Sequence, residues 1–272
     1  MATKGDTDGN GGVNRRGNTV DGTGPHRAGL PMVFMYHSVY GYRQDPYLVT
    51  VRPDRFARQM AWLSRHGLRG VSIRDLLEAC RTGRPGSLVG LTFDDGYADF
   101  LANALPVLRH HGFTATVFAL AGRLGGDNAW DEQGPRKPLL TADGLRRVAA
   151  AGMEIGSHGW AHVPLPETGE PGLVQEIEAS RAVLSELAGA DVRGFCYPYG
   201  AVNGEVVQRV RDAGYDYACA IWRSDLTGTY ALPRIYVGDA DSGPRLEAKR
   251  LRHRLVSRHP RFDPALRRAP VS

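Results

Sequence analysis

Lysine is scarce in this chain of 272 residues: only Lys4, Lys137 and Lys249 stand among its 34 lysines and arginines. Such a bias toward arginine indicates genome composition rather than a nucleic-acid footprint, and the net charge of +5 is modest. Much of the positive charge lies in residues 245–262, which we interpret as a solvated helix face rather than a phosphate-binding arm. No nucleic-acid partner is therefore expected.

Cysteine is also rare, and a long hydrophobic run is missing. The chain has three cysteines, Cys80, Cys196 and Cys219, and no two of them are close in sequence. An odd number without a close pair is typical of free thiols in a reducing compartment. The twin arginines of "VNRRGNTV" are followed by no apolar segment, so they do not form an export signal. No run reaches the length of a membrane span. These absences predict a cytoplasmic protein without a membrane partner.

The chain divides into three parts. Residues 1–29 are rich in Gly, Asn, Thr and Asp and are predicted to be a disordered leader. Residues 30–257 alternate between strand-like and helix-like segments, which favours a parallel sheet in a single catalytic domain. Residues 258–272 are predicted to be a loose basic tail. About seven or eight strands favour an α/β barrel over an open sheet.

Polar side chains gather where the predicted strands end. His37 follows the first strand, Asp94 and Asp95 follow "SLVGLTF", and His158 follows "MEIGS". Trp222 follows a later strand, "YDYACAI". In a parallel α/β fold the carboxyl ends of the strands meet at one edge, and the active site lies there.

The adjacent aspartates of "TFDDG" need an explanation, because neighbouring side chains on a strand point to opposite faces. Gly96 allows a sharp turn, after which Asp94 and Asp95 can converge on one site. Paired carboxylates at a strand end indicate metal binding, acid/base chemistry or both. The alternative is a turn whose carboxylates cap a helix that begins near Tyr97, and it accounts for one aspartate but not for both.

The second strong motif is "HGWAH", in which His158 and His162 lie four residues apart. Two imidazoles and one carboxylate form the usual open site for zinc or a related divalent ion. On its own the spacing is weak, and a polar loop is the alternative. At a strand end, together with the aspartate pair, it favours a metal site.

These motifs carry a family resemblance. "TFDDG" at 92–96, "SHGWAH" at 157–162 and "FCYPYG" at 195–200 resemble the first three motifs of the polysaccharide deacetylases. This is the NodB-homology family, carbohydrate esterase family 4, and the third motif resembles its F-A-Y-P-Y-G branch. The resemblance covers about residues 31–240, in the expected order. It implies a distorted (β/α)7–8 barrel and removal of acetyl groups from amino sugars.

The resemblance also implies roles for single residues. A divalent metal would be bound by Asp95, His158 and His162; Zn²⁺ is expected first, with Co, Mn, Fe or Ni as alternatives. Asp94 would be the general base, and the backbone N–H of Tyr199 would help to bind the oxyanion.

The chain departs from the family pattern in two places. Cys196 stands where most members have an arginine, and "LPRIYVGD" lacks the histidine that many members use as general acid. We predict His37 as the replacement acid, because the first and last strands of a closed barrel are neighbours. We predict Arg234 as the group that restores the lost charge beside Asp94. The alternatives are a core histidine bonded to backbone and a surface arginine.

Further residues are assigned to the substrate or to the acid. Asp225 matches the family's fourth motif, which orients the acid, and Tyr197, Tyr199 and Trp222 are predicted to contact the substrate. Trp222 is equally typical of plain core. Cys196 has no basic sequence neighbour and is a poor nucleophile candidate.

The sequence therefore predicts a metal-dependent hydrolase that removes acetyl from an N-acetylated amino sugar and releases acetate. A cytoplasmic location favours a small glycoside, a nucleotide-linked sugar or a biosynthetic intermediate, for example one of antibiotic biosynthesis. One alternative is a deformylase or amidohydrolase acting on another acylated amine. Another is a non-catalytic carbohydrate-binding protein on the same barrel, against which the intact set of aspartates and histidines argues.

Overall fold

A computed structural model describes residues 29–257. The predicted leader, apart from Gly29, and the predicted basic tail lie outside the described residues. Within the described part the strands are β1 Val33–Tyr36, β2 Ser38–Val39, β3 Thr50–Val51, β4 Arg69–Val71, β5 Leu88–Phe93, β6 Thr116–Ala119, β7 Glu154–Ser157, β8 Gly194–Cys196, β9 Tyr217–Cys219 and β10 Ile235–Tyr236. The α-helices are α1 Pro53–Arg65, α2 Ile73–Arg81, α3 Leu105–His110, α4 Ala142–Ala150, α5 Glu170–Val174, α6 Ser180–Ala188, α7 Gly204–Asp212 and α8 Gly243–Val256.

Local sequence signals account for several helix boundaries. Pro53 occupies the first turn of α1, where a missing N–H costs nothing, and the predicted cap Thr141 accepts a hydrogen bond from the Gly144 N–H at the start of α4. Two helices carry π turns, Phe100–Ala104 directly before α3 and Gln175–Ala179 between α5 and α6. Within residues 29–257, no helix combines the length and the apolar content needed to cross a bilayer.

The main sheet has eight strands, and every pairing in it is parallel. Its order is β10-β1-β5-β6-β7-β8-β9, with β4 paired to the first half of β5. The segment that leads into β10 connects the two edges of the sheet. Leu232 forms an isolated β-bridge with Cys219 of β9, and β10 then pairs with β1. The predicted distorted α/β barrel of seven or eight strands is confirmed.

Two apolar clusters hold the barrel together. The larger one lies between the sheet and the helices and contains outward-facing residues of β5 such as Leu91 and Phe93. The smaller one joins Val33, Phe118 and Cys219 of the strands to Leu76 of α2, and it includes all three cysteines of the chain. The short second sheet of β2 and β3 was not predicted, because two-residue strands have no periodicity in the sequence.

Candidate active site

Alternation along β5 points Asp94 into the barrel. Leu91 and Phe93 belong to the larger apolar cluster, between the sheet and the helices, whereas Gly90 and Thr92 face the inside of the barrel. A Cβ at Gly90 would lie 2.6 Å from Cδ1 of Ile73, so the inner face is crowded there. Asp94 continues the inward register and is 2% exposed.

Asp95 reaches the same site through a left-handed turn. Its φ is +70° and that of Gly96 is +72°, so the chain leaves the strand direction at Asp95 itself as well as at the glycine. The following helical segment begins at Phe100 and has no side-chain cap hydrogen bond, which removes the capping alternative. The aspartates converge as predicted.

His158 and His162 meet Asp95 at the end of β7. Their Nε2 atoms lie 3.2 and 3.3 Å from Asp95 Oδ1, and all three side chains are buried. The ligand atoms that these residues offer lie within 4.8 Å of one another. Within the described residues Asp95 Oδ1 has no hydrogen-bond partner, although it is buried. A buried, unbonded carboxylate oxygen facing two imidazole nitrogens is a donor set that fits a divalent ion such as Zn²⁺.

A second group of donors, Asp94, His158 and Cys196, is also close enough to bind a cation. The guanidinium of Arg234 lies among these donors, with Nη1 2.6 Å from Asp94 Oδ1 and Nη2 3.1 Å from Cys196 Sγ. Its positive charge disfavours a second cation at this position. Burial raises the pKa of the Cys196 thiol to about 11, so the thiol is neutral and weakly nucleophilic.

Arg234 is buried beside Asp94, and the surface-arginine alternative is wrong. Nη1 also donates to Thr92 Oγ1 at 3.0 Å, and Nε donates to the Ala220 carbonyl at 3.0 Å. Burial raises the pKa of Asp94, but the charges of Arg234 and His37 and the Arg234 hydrogen bond outweigh it and bring the pKa below its ordinary value. Asp94 is therefore an ionised, buried carboxylate at neutral pH.

His37 lies next to this carboxylate at the end of β1. Its Nε2 is 4.0 Å from Asp94 Oδ2, and its side chain is 15% exposed. The residues after it are anchored by Asp99, which accepts hydrogen bonds from Ser38 Oγ at 2.6 Å and from the Val39 N–H at 3.0 Å. A partly exposed imidazole beside a buried carboxylate differs from the core histidine given as the alternative.

Tyr199 and Trp222 stand on adjoining loops at the same end of the barrel. The side chain of Tyr199 is 52% exposed and that of Trp222 is 73% exposed. Gly200 has φ +67°, and a Cβ there would lie 2.8 Å from Ile221 Cγ1, so the two loops are in close contact. The ring of Tyr199 lies 4.5 Å from that of His162. The exposure of Trp222 excludes the plain-core alternative.

Two predicted site residues, Tyr197 and Asp225, do not have the surroundings that their predicted roles require. Tyr197 is 1% exposed, and its hydroxyl donates to the Tyr230 carbonyl at 2.8 Å, which favours a packing role over substrate contact. Asp225 is exposed, and no hydrogen bond or ion pair described for residues 29–257 joins it to His37. Asp225 therefore has no described contact through which it could orient His37, as its match to the fourth motif predicted.

Glu176, which was not predicted from the sequence, supports the loop that carries the two histidines. Its buried carboxylate accepts hydrogen bonds from the backbone N–H groups of Trp160, at 2.6 Å, and Ala161, at 3.1 Å. These groups lie between the two candidate histidine ligands. Glu176 stands in the π turn Gln175–Ala179, and π turns recur at functional sites. A glutamate in an amphipathic helix gives no sequence signal for this role.

Comparison with known sequences identifies the family. The sequence profile of the polysaccharide deacetylases matches residues 81–218, just over half of the chain. YxkH of Bacillus subtilis, a protein classed with the polysaccharide deacetylases, is 27% identical over 221 residues, which cover 79% of this chain and 74% of that protein. The poly-beta-1,6-N-acetyl-D-glucosamine N-deacetylase of Escherichia coli K12 is 28% identical over 246 residues, which cover 76% of this chain. The match spans only 36% of the length of that enzyme.

Solved structures share the fold. The deacetylase PplD of Streptococcus pyogenes, in complex with acetate, superposes with a TM-score of 0.68 and 22% identity. The superposition covers 86% of this chain and 100% of PplD. The barrel is thus one that known deacetylases use, and the profile match shows that the chain belongs to the polysaccharide deacetylase family.

Proposed function

We propose that this chain is a metal-dependent hydrolase that removes the acetyl group from an N-acetylated amino sugar and releases acetate. One observation carries the proposal: a two-histidine, one-carboxylate donor set lies beside a separate, ionised carboxylate with a histidine 4.0 Å away. Asp95, His158 and His162 would bind the ion, which supplies polarisation of the acetyl carbonyl and a lowered pKa of water. Zn²⁺ is the first candidate, and Co, Mn, Fe or Ni suit the same ligands.

Asp94 is the general base of the proposed reaction. It is held ionised by Arg234 and adjoins Asp95, so it can take a proton from the attacking water. The water oxygen forms a bond to the acetyl carbon, and the carbonyl oxygen becomes an oxyanion. The backbone N–H of Tyr199, a residue whose ring lies 4.5 Å from that of His162, is the proposed donor to that oxyanion.

His37 is the general acid. Its position beside Asp94 allows an imidazolium to donate a proton to the sugar nitrogen as the C–N bond breaks. Acetate and a free amine leave the site. Each proton-transfer group is expected to contribute about 10²–10⁴-fold to the rate.

A sugar polymer is the substrate class that the relatives favour. The matched enzyme of Escherichia coli acts on poly-beta-1,6-N-acetyl-D-glucosamine. Tyr199 and Trp222 are exposed and therefore available to stack on the sugar rings of a polymer. The small cytoplasmic glycoside expected from the sequence is the second candidate. The cytoplasmic location stays a prediction.

The test is acetate release from β-1,6-linked N-acetylglucosamine oligomers and from small N-acetyl glycosides. Metal-reconstituted wild type is compared with Asp94→Asn at equal metal content, and matched formylated substrates are included. Release from the oligomers that Asp94→Asn loses would support the deacetylase and the polymer. Release of formate alone would support the deformylase alternative. Saturable sugar binding without release of acetate or formate would support the alternative of a non-catalytic carbohydrate-binding protein.

A further inference from the structure

The two candidate histidine ligands are held by different means. His158 Nδ1 lies 2.8 Å from the Cys196 carbonyl oxygen, so its second nitrogen can donate a hydrogen bond while Nε2 faces Asp95. Histidines that ligate metals almost always have such a partner, which fixes the tautomer and the ring orientation. His162 Nδ1 is buried and, within residues 29–257, has no hydrogen-bond partner. Something other than a hydrogen bond must hold the His162 ring.

Aromatic side chains surround the His162 ring instead. The Trp130 ring stacks on it, with 4.5 Å between centroids and 23° between planes. Tyr199 contacts it with an edge-to-face geometry of 67°. His162 also has φ +65°, a left-handed backbone that a residue with a side chain adopts at a cost of about 1–3 kcal/mol. A strained backbone and an unbonded ring nitrogen both need support from packing.

We propose that Trp130 is a positioning residue, which holds the His162 imidazole in its metal-ligating orientation by ring stacking in place of a hydrogen bond. The proposal rests on the metal-dependent function proposed above. It gives Trp130 no contact with the reacting atoms.

Trp130 can serve in this way because its loop is itself well anchored. The ends of the loop are joined by a bridge between Asp127 and Pro138. Inside it, the Asn128 side chain accepts a hydrogen bond from the Lys137 N–H at 2.7 Å and donates to Asp131 Oδ2 at 3.2 Å. The Lys137 ammonium donates to Thr50 Oγ1, which ties the loop to β3.

The indole also packs on an apolar base. Trp130 contacts a small buried cluster of Tyr97, Leu120 and Leu139. Leu120 directly follows β6, and Tyr97 follows the aspartate turn. The indole is therefore fixed with respect to β6 and to the turn that carries Asp95. Without it, the His162 ring would keep neither a hydrogen bond nor a stacking partner on that face.

The decisive measurement is metal affinity, not turnover. Zn²⁺ and Co²⁺ are titrated against a chromophoric chelator in wild type, Trp130→Phe and Trp130→Leu. The leucine is apolar and can cover the base cluster, but it lacks a ring. Loss of an outer-shell partner typically weakens metal binding by about 10–100-fold, and we expect that change for Trp130→Leu. Trp130→Phe keeps a stacking face and is expected to stay within about 3-fold of wild type.

Tyr47→Leu is the matched control. Tyr47 packs on the same loop, where its hydroxyl accepts a hydrogen bond from the Gln133 N–H at 3.3 Å, and no ring contact described for residues 29–257 joins it to His162. Its metal affinity is expected to equal that of wild type. The visible absorption of bound Co²⁺ should change in Trp130→Leu alone, because its ligand geometry changes. Thermal unfolding in excess chelator checks that the metal-free variants are folded.

Each outcome decides a different statement. Equal Zn²⁺ affinity of folded Trp130→Leu and wild type would overturn the role of Trp130 and leave the proposed function intact. A wild type that binds neither ion would overturn the metal-dependent function and this inference with it. Weaker binding in Trp130→Leu that Trp130→Phe restores would establish stacking as the holding interaction. Equal weakening in all three variants, Tyr47→Leu included, would assign the effect to the loop and overturn the specific role of Trp130.

Discussion

Substitution of Arg234 by methionine tests the buried ion pair that Arg234 forms with Asp94. Arg234 is fully buried, and it donates to Asp94 at 2.6 Å, to Thr92 at 3.0 Å and to the Ala220 carbonyl at 3.0 Å. Methionine replaces the aliphatic part of the arginine side chain and has no charge and no hydrogen-bond donor. The substitution leaves Asp94 as a buried carboxylate with two nearby imidazoles, His37 at 4.0 Å and His158, which carry charge only when they are protonated.

The expected loss of stability is large. Removing one partner of a buried ion pair typically destabilises a protein by about 3–5 kcal/mol, because the other charge stays buried without its counter-ion. For a domain of this size, each kcal/mol corresponds to a Tm shift of about 2–4 °C, so Arg234→Met should melt about 6–20 °C below wild type. The double variant Asp94→Asn/Arg234→Met should recover part of this loss, since it no longer buries an unpaired charge.

The pH dependence has a definite sign. In wild type the pKa of Asp94 lies below its ordinary value, so its pairing stabilises the fold at neutral pH and is lost as the pH falls through that pKa. In Arg234→Met burial still raises the pKa of Asp94, but the largest of the charges that lowered this pKa is gone. The stability difference between the two proteins should therefore be largest near neutral pH and shrink in acid.

The assay is urea unfolding of metal-free wild type, Arg234→Met and the double variant, at about pH 7 and about pH 4.5. Metal-free protein keeps metal binding out of the comparison. A loss below about 1 kcal/mol at neutral pH, or a double variant no more stable than Arg234→Met, would refute the role of Arg234 as the stabilising counter-ion of Asp94.

Three further substitutions test other residues of the barrel. Glu176→Ala leaves the buried N–H groups of Trp160 and Ala161 without an acceptor, so urea unfolding should show a loss of stability of about 1–3 kcal/mol. Chelator competition should also show weaker metal binding. An unchanged metal affinity would contradict a role of this carboxylate in the loop that carries the histidine ligands. His37→Gln should lower acetate release by about 10²–10⁴-fold at unchanged metal content, and full activity would rule out His37 as the acid. Burial raises the pKa of Glu154, so its ionisation weakens the fold as the pH rises through that pKa. Glu154→Gln should therefore remove the loss of stability that wild type shows as the pH rises above the ordinary glutamate pKa of about 4.3, and identical profiles in both proteins would show that this glutamate does not cause it.

Local patterns predicted the parts of the site that lie on the strands. In "LVGLTFD" large apolar residues alternate with Gly90, Thr92 and Asp94, and this period of two places the carboxylate inside the barrel. The histidine pair of "HGWAH" and the glycine after the aspartates are equally local signals. Because parallel strands end at one edge, the convergence of these groups followed from their order alone.

Contacts between distant segments were harder to predict. Arg234 and Asp94 are 140 residues apart, and only the family pattern, with its missing arginine, pointed to the pair. Trp130 and Glu176 gave no signal, because a tryptophan in a loop and a glutamate on a helix have many ordinary roles. The π turn that contains Glu176 arises from tertiary packing, which local propensity does not encode. Tyr197 was predicted to contact the substrate but is buried. An aromatic residue at a strand end is typical both of a pocket wall and of a core, so the sequence does not distinguish the two.

The backbone at the site explains why these distant supports matter. Of the four non-glycine residues with positive φ among residues 29–257, three are site residues: Asp95, His162 and Tyr199. Each such conformation costs about 1–3 kcal/mol and persists only where the surroundings stabilise it. Asp95 is followed by Gly96 against β6, and His162 has Trp130 on its ring and Glu176 on its loop. The ligand geometry is therefore a property of the supporting contacts as much as of the ligands, and substitutions in those contacts should change metal affinity without touching a ligand.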